Sequence, residues 1–526
     1  MKPAAWPSLE TLLRPRSVAV VGASDNPDKV GGRPLKYLQQ GFAGRLYPVN
    51  PRQQTVQGIV AHARLADLPE VPDVAILCVG SEHAEEQLGA CARLGIPNAL
   101  LFASGYAEVG AEGLARQQRL VEICRSGGVR LLGPNGIGIA SFGSGAILSF
   151  ASIYTDHVPE DGPVAIVSQS GAFGVSAYAL LRAAGIGVHC VAATGNEADL
   201  DSADFVAALA RQAGVRLLLL YLENVKDPER MRSALEIARR AGIPVLAVRA
   251  GRSAEGKRSA HWHTGSSGAA DPRLDALFDA SGCRTVAHLN EMVDSVPLYL
   301  DAMAHSRCEG SAPRIAVVSN SGASCVLAAD AAHRLGMPLA EPGPTSRERL
   351  DGLLPSFSLN RNPIDLTAML LGDSSLLGKV MACVMDDAGV DAAVLGLLAI
   401  GGPSYDVARF ARDARAAAMR SGRPLAVFSP HPQVREAFAR AGVAVFTHEA
   451  EALAAIQGLA AHRALLHAGG LSLSASPSPE ASPSPSPSPR ASAMHSPTPS
   501  PTPSPAPSAA RSPSPSPPPS PEPHHA

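Results

Sequence analysis

Residues 163–174 read PVAIVSQSGAFG and residues 313–324 read PRIAVVSNSGAS. In each, an apolar run of strand type ends in Ser-Gln-Ser-Gly or Ser-Asn-Ser-Gly and opens an alanine-rich helical stretch. A strand that turns through Ser-Gly directly into a helix is the start of a βαβ unit, and βαβ units build parallel sheets. The recurrence of the pattern predicts two domains of one fold.

Outward from these two stretches, short apolar runs alternate with helical stretches from residue 17 to about 460, so the fold class is α/β. A first block carries SVAVVGAS (17–24), GRLYPVNP (44–51), VPDVAILCVG (71–80), PNALLFASG (97–105) and VRLLGPNG (129–136). The second block starts at Gly162 and continues with GVHCVAATG (187–195), VRLLLLYLENV (215–225) and IPVLAVRAGRS (243–253). The third starts near Ala312 and continues with VDAAVLGLLAI (390–400), RPLAVFSPH (423–431) and VAVFTHEAE (443–451). The expected domains are 1–145, 146–305 and 306–470, followed by a Ser-Pro tail over 471–526. Proline at that density, with almost no apolar side chains, predicts a disordered, partly polyproline II extension. Its end, Glu522-Pro523-His524-His525, is a poor metal site, and no metal site is expected.

A chain of 526 residues, 46% hydrophobic and 17% charged, exceeds one compact core. Its net charge of −2 gives no broad attraction for nucleic acid or an anionic membrane, so an anionic ligand must be held locally. The cysteines at 78, 91, 124, 190, 283, 308, 325 and 383 form no CxxC pair and read as reduced core residues. The N-terminus lacks a signal-peptide h-region, and no apolar run is long enough to span a bilayer. The expected location is the cytoplasm.

After the strand Val18 to Val21, the turn Gly22-Ala23-Ser24 and then Gly31-Gly32 precede a helix, an arrangement that suits a phosphate-bearing ligand. Ser24 replaces a fingerprint glycine, and Val49-Asn50-Pro51 stands where a nicotinamide dinucleotide site needs an acid for the ribose. Both departures weigh against an NAD-dependent oxidoreductase. The ordered set VGAS, VNP (Asn50, Pro51) and Gly133-Pro134-Asn135-Gly136 resembles the CoA-binding domain of the nucleoside-diphosphate-forming acyl-CoA synthetases, relatives of succinyl-CoA synthetase. Where that family has a proline after the third strand, this chain has Cys78-Val79-Gly80-Ser81.

The resemblance extends to RAGRSAEGKRSAHWHTGSSGA (249–269), whose His263-Thr264-Gly265 is similar to the family's phosphohistidine motif. A histidine in a Gly/Ser-rich loop suits a reversible phosphoryl carrier, because its phosphoramidate passes the group on readily. His261 lacks the Thr-Gly that follows. Tyr221-Leu222-Glu223-Asn224 resembles the position whose carboxylate hydrogen-bonds that histidine, which would fix its tautomer. The Ser168, Ser170, Gly171 and Ser319, Ser321, Gly322 helix starts resemble the two phosphate-binding helix N-termini of the family. Gly195 to Asp201 and Asn362-Pro363-Ile364-Asp365 match further family segments.

The resemblance implies a Rossmann-like CoA-binding domain followed by two flavodoxin-like domains. It also implies CoA as cofactor, a small carboxylic acid or acyl-CoA as substrate, and an oligomeric assembly. No GxxxxGK[ST] motif and no ATP-grasp domain is found, so ATP or ADP with Mg2+ is expected on a separate ATP-grasp β subunit. The competing expectation is a CoA or acyl-CoA sensor that has lost turnover.

Overall fold

A computed structural model describes residues 6–253, 255–256, 258–259, 272–305, 312–355, 361–401 and 404–468. The tail and His263 lie outside the described residues. Three parallel or mostly parallel sheets follow one another along the chain.

The first sheet runs Arg45–Val49, Ser17–Val21, Val74–Leu77, Asn98–Leu101, Arg130–Leu132, every neighbouring pair parallel. His62 adds a lone parallel bridge to Val49, where doubly wound dinucleotide folds carry a further strand. The strands Ser17–Val21, Val74–Leu77 and Asn98–Leu101 are buried along their whole length and mostly apolar, as the inner strands of a parallel sheet covered on both faces are.

In the second sheet the order is Cys283–Val286, Val245–Arg249, Leu217–Leu222, Val164–Ser168, Val188–Ala193, and then an antiparallel hairpin, Gly138–Ser141 and Ala146–Ser149. That hairpin straddles residue 145, and both of its strands belong to the second sheet. Counted along the chain, the five parallel strands have the flavodoxin order 2-1-3-4-5. The third sheet, Ile364–Asp365, Ile315–Ser319, Ala392–Gly396, Leu425–Phe428, Ala444–Phe446, has the same order, the structural counterpart of the repeated sequence pattern.

One apolar cluster runs from Leu12 and Leu35 under the first sheet to Leu220 and Phe278 under the second. Another links Tyr178 and Leu219 of the second block to Val317 and Ile456 of the third. The Asn362 side chain is bonded to backbone on three sides. Its Oδ1 accepts from Val317 N at 2.8 Å, and its Nδ2 donates to the oxygens of Ile315 (2.7 Å) and Ala340 (2.9 Å). The side-chain amide thus stands in for a neighbouring strand, just before Ile364–Asp365 takes over that edge. Among the described residues, no helix is long and apolar enough to cross a membrane, and no group of three metal-ligating side chains is found.

Candidate active site

In an open α/β sheet ligands bind at the crevice where strand order reverses, beyond the carboxyl ends of the strands. In the second sheet that crevice lies between Val164–Ser168 and Leu217–Leu222, and it brings together residues 168–171 and 223–224. Ser168 is fully buried, and its hydroxyl donates to Ser170 O at 2.6 Å. Ser170 caps the helix Gly171–Ala183, its Oγ accepting from Phe173 N at 3.4 Å. Thirteen helical residues give this N-terminus a partial positive charge aimed at the crevice. Gly171 fits because a Cβ there would lie 2.8 Å from Cγ2 of Ile137, which closes one side.

Glu223 follows the strand Leu217–Leu222. Tyr221 Oη donates to its Oε1 at 3.2 Å, and the Tyr221 ring stacks on Phe173 with centroids 4.2 Å apart. Burial, together with the Glu223 carboxylate, pushes the Tyr221 phenol up and keeps it a neutral donor. Ala250 N donates to Leu222 O at 2.9 Å, so the segment that bears His263 leaves the sheet beside Glu223. Arg249 pairs with Asp275 and lies over the Phe278 ring, and Arg252 reaches the same carboxylate at 3.4 Å. Asp275 stands in the helix Pro272–Ala280, which ends that segment.

Gln169, between the two serines, spans the crevice. Its Oε1 accepts from Glu223 N (2.6 Å) and Asn224 N (3.0 Å). Its Nε2 donates to Asn224 O (2.8 Å) and to Glu197 Oε2 (2.9 Å). Glu197 is buried, with a left-handed φ of 54°, and also accepts from Thr194 Oγ1 (2.8 Å), Ser202 N (3.0 Å) and Ser202 Oγ. Burial pushes its carboxyl up and lowers the Lys226 ammonium, which donates to the backbone oxygens of Asn196 (2.8 Å) and Glu197 (2.5 Å). No motif singles out Gln169. The available signal was its repetition as Asn320 in the third block, where Asn320 Oδ1 accepts from Leu398 N across the corresponding crevice at 2.9 Å.

Ser319 and Ser321 keep the pattern: Ser321 N donates to Ser319 Oγ (3.2 Å), and Ser321 Oγ accepts from Ser324 N (3.4 Å) to cap Gly322–Arg334. The surroundings differ. A Cβ on Gly322 would meet Asp365 Oδ2 at 2.9 Å, so a carboxylate already stands at this helix N-terminus, where the Gly171 helix has apolar Ile137.

The Gly22 turn sits at the switch point of the first sheet, so close to Cys78 that a Cβ would lie 2.4 Å from its carbonyl oxygen. The amides of Gly22 and Ala23 donate to Val49 O (3.0 and 3.3 Å), and that of Ser24 to Gly31 O (3.1 Å). These three amides therefore hold the shape of the loop that the sequence suggested for a phosphate-bearing ligand. Asn50 Nδ2 donates to Ala23 O at 2.9 Å and fastens the turn to the segment that continues through Pro51. Gly133, Pro134 and Asn135 are separated from that turn by two strands. They meet the second-sheet crevice instead: Pro134 O accepts from Asn196 N (2.9 Å), and Asn135, at φ 58°, donates through Nδ2 to Asn196 Oδ1 (3.2 Å).

With this geometry in view, residues 16–141 match the CoA binding domain family and residues 161–299 the succinyl-CoA ligase like flavodoxin domain family. The chain is 31% identical over 385 residues to the ADP-forming acetate–CoA ligase II subunit alpha of Pyrococcus furiosus, covering 73% of this chain and 81% of that protein. The chain belongs to the ADP-forming acyl-CoA ligases. It is 33% identical over 386 residues to the ADP-forming acetate–CoA ligase I of Archaeoglobus fulgidus, covering 73% of this chain and 54% of that longer protein. A solved acetyl-coenzyme A synthetase 1 of Ca. Korarchaeum cryptofilum, in complex with phosphate and ADP, superposes with a TM-score of 0.78 at 27% identity. That superposition covers 88% of this chain and 99% of the solved one.

Proposed function

We propose that this chain is the CoA-binding, phosphohistidine-bearing subunit of an acyl-CoA synthetase that interconverts acyl-CoA, ADP and phosphate with carboxylic acid, CoA and ATP. The observation that supports the reading best is the meeting, at one switch point, of Glu223, the Ser170-capped helix start and the root of the segment bearing His263. A phosphate oxygen attacks the thioester carbonyl, the C–S bond breaks, and CoA leaves as acyl phosphate forms. An imidazole nitrogen of His263 then attacks phosphorus, the bond to the acyl oxygen breaks, and the carboxylate leaves. Glu223 orients the ring and offsets its imidazolium charge. Of the Ser168, Ser170, Gly171 set, Ser170 and Gly171 bind the phosphoryl oxygens on one side of the transfer, and Ser321 and Gly322 do so on the other, while the buried Ser168 and Ser319 shape the two turns from beneath.

CoA is taken by Gly22, Ala23, Ser24, Asn50 and Pro51, with Gly133, Pro134 and Asn135 leading toward the second crevice. Because three amides of the turn are engaged internally, the turn contributes shape to the CoA site more than free donors. A separate ATP-grasp β subunit in the cytoplasm supplies ADP or ATP with Mg2+ and receives the phosphoryl group. This partner is supported by the Pyrococcus furiosus relatives, which are named as α subunits.

Incubation with acetyl-CoA and radiolabelled phosphate tests the reading. An acid-labile, base-stable label should appear, vanish in His263→Ala and persist in His261→Ala. A wild-type chain that binds CoA and never labels, with any acyl donor or with ATP and an ATP-grasp partner, refutes the relay and leaves a CoA-binding sensor in its place.

A further inference from the structure

Gln169 carries no role in the chemistry above, yet all four of its hydrogen-bonding positions are filled. Two donors and two acceptor lone pairs are the full capacity of a side-chain amide, and Gln169 meets two backbone N–H groups, one carbonyl and one carboxylate. Its orientation is therefore fixed: the nitrogen must face Glu197 and Asn224 O, and the oxygen must face the amides of residues 223 and 224. Glu197 in turn receives Thr194, Ser202 through N and Oγ, and Gln169, so every donor around it calls for an acceptor. The third sheet repeats the device at the same place, with Asn320 reaching across to Leu398 N.

We infer that Gln169 is a positioning residue for Glu223, holding the backbone of residues 223 and 224 against the start of the Gly171 helix, and that Glu197 sets the direction of its amide. This rests on the phosphoryl-relay reading for its consequence in turnover, although the clamp itself is a statement about the fold. Its place in catalysis follows from distance: a carboxylate that must meet a histidine from another segment is only as well placed as its main chain. Side-chain rotation about a loose strand end would spread the Glu223 oxygens over more than the bond length they need.

Gln169→Glu tests the clamp, since a protonated glutamic acid has the shape of glutamine and can donate to Glu197, whereas the ionised form sets two carboxylates face to face. Among the described residues, the charged and titratable groups around this position are Glu197, Glu223, Tyr221, Lys226, Asp227 and Asp201, the last raised to about 6 by burial and its acidic neighbours. Like charge at the distance of the present Gln169–Glu197 bond raises one of the pair, so the variant is impaired at high pH and recovers as pH falls. Two readouts are expected. Labelling of His263 should drop by about tenfold or more at pH 8 and return toward wild type at pH 6, whereas Gln169→Ala should be impaired equally at both. Hydrogen exchange, corrected for the intrinsic rate, should show lost protection of the 222–226 amides in Gln169→Glu at pH 8 and restored protection at pH 6.

Unchanged exchange of those amides in Gln169→Glu and Gln169→Ala overturns the clamp, whatever the labelling shows. Lost protection with labelling equal to wild type overturns the positioning role alone. A wild-type protein that never labels, with exchange behaving as stated, removes the relay and leaves the clamp standing.

Discussion

Replacing Glu223 by glutamine removes a negative charge and keeps an oxygen that can accept from Tyr221 Oη, now at 3.2 Å, so the stack on Phe173 has no reason to move. The loss is then electrostatic. A carboxylate about 4 Å from an imidazolium contributes about 4 kcal/mol at an effective dielectric constant of about 20. At ~1.36 kcal/mol per decade this is about a thousandfold in rate, inside the ~10² to 10⁴ range for an orienting or proton-transferring group. Tyr221→Phe removes one long hydrogen bond to that carboxylate and should cost about 1.5 kcal/mol, roughly tenfold. Rapid-quench measurement of a single turnover, from acyl-CoA and radiolabelled phosphate to the acid-labile label, separates the two. Thermal melts should show both variants folded. The expected order is wild type, then Tyr221→Phe, then Glu223→Gln. A Glu223→Gln protein labelling within about threefold of wild type, or one less impaired than Tyr221→Phe, would refute this account of the carboxylate.

Two further outcomes can be checked directly. Gly31→Ala places a Cβ 2.2 Å from Gly22 O, beside the Ser24 N to Gly31 O bond at 3.1 Å. Overpacking of this kind costs about 1–3 kcal/mol and should raise the Kd for CoA by roughly tenfold in titration calorimetry, and an unchanged Kd removes this turn from the CoA site. His462 is buried, with Nε2 2.6 Å from Gly282 O and Nδ1 3.3 Å from Tyr299 Oη, and burial lowers it to about 4. Its protonated form is disfavoured only in the folded chain, so the unfolded chain binds the extra proton between that value and the ordinary 6.5. Stability from this group is complete above 6.5 and falls as pH is lowered toward 4, by about 3 kcal/mol in all. Denaturant titrations across that window should show a steeper pH slope in wild type than in His462→Met, and parallel slopes would contradict the assignment.

Much of the fold was legible because strand and helix periodicities alternate cleanly, and the duplicated Ser-Gln/Asn-Ser-Gly pattern reappears as two sheets of identical strand order. The hairpin 138–149 was not. Its strands are four residues each, rich in small side chains, and its partner strand Val188–Ala193 lies some fifty residues on. At the site, residue types were readable and their commitments were not. Glycines at 22 and 31 mark a tight loop, but only the fold shows that Val49 O and Gly31 O consume the nearby amides. Ser170 and Ser321 look equivalent as letters, yet one helix start faces Ile137 and the other Asp365, brought there by an edge strand of two residues. Gln169 escaped notice because its four partners lie on loops 28 to 55 positions away, beyond any local pattern.

The Arg249–Asp275 pair has a consequence for assembly. It joins the chain on either side of the 250–271 segment, so the distance of His263 from the helix at Pro272 is bounded by the number of residues between them. Nine residue steps separate His263 from Pro272, and a fully extended chain advances at most ~3.3–3.6 Å per residue, about 30 Å for that stretch. On the proposed relay, a partner's nucleotide must come inside that radius, and lengthening the chain between residues 263 and 272 would widen it without touching the chemistry at either end.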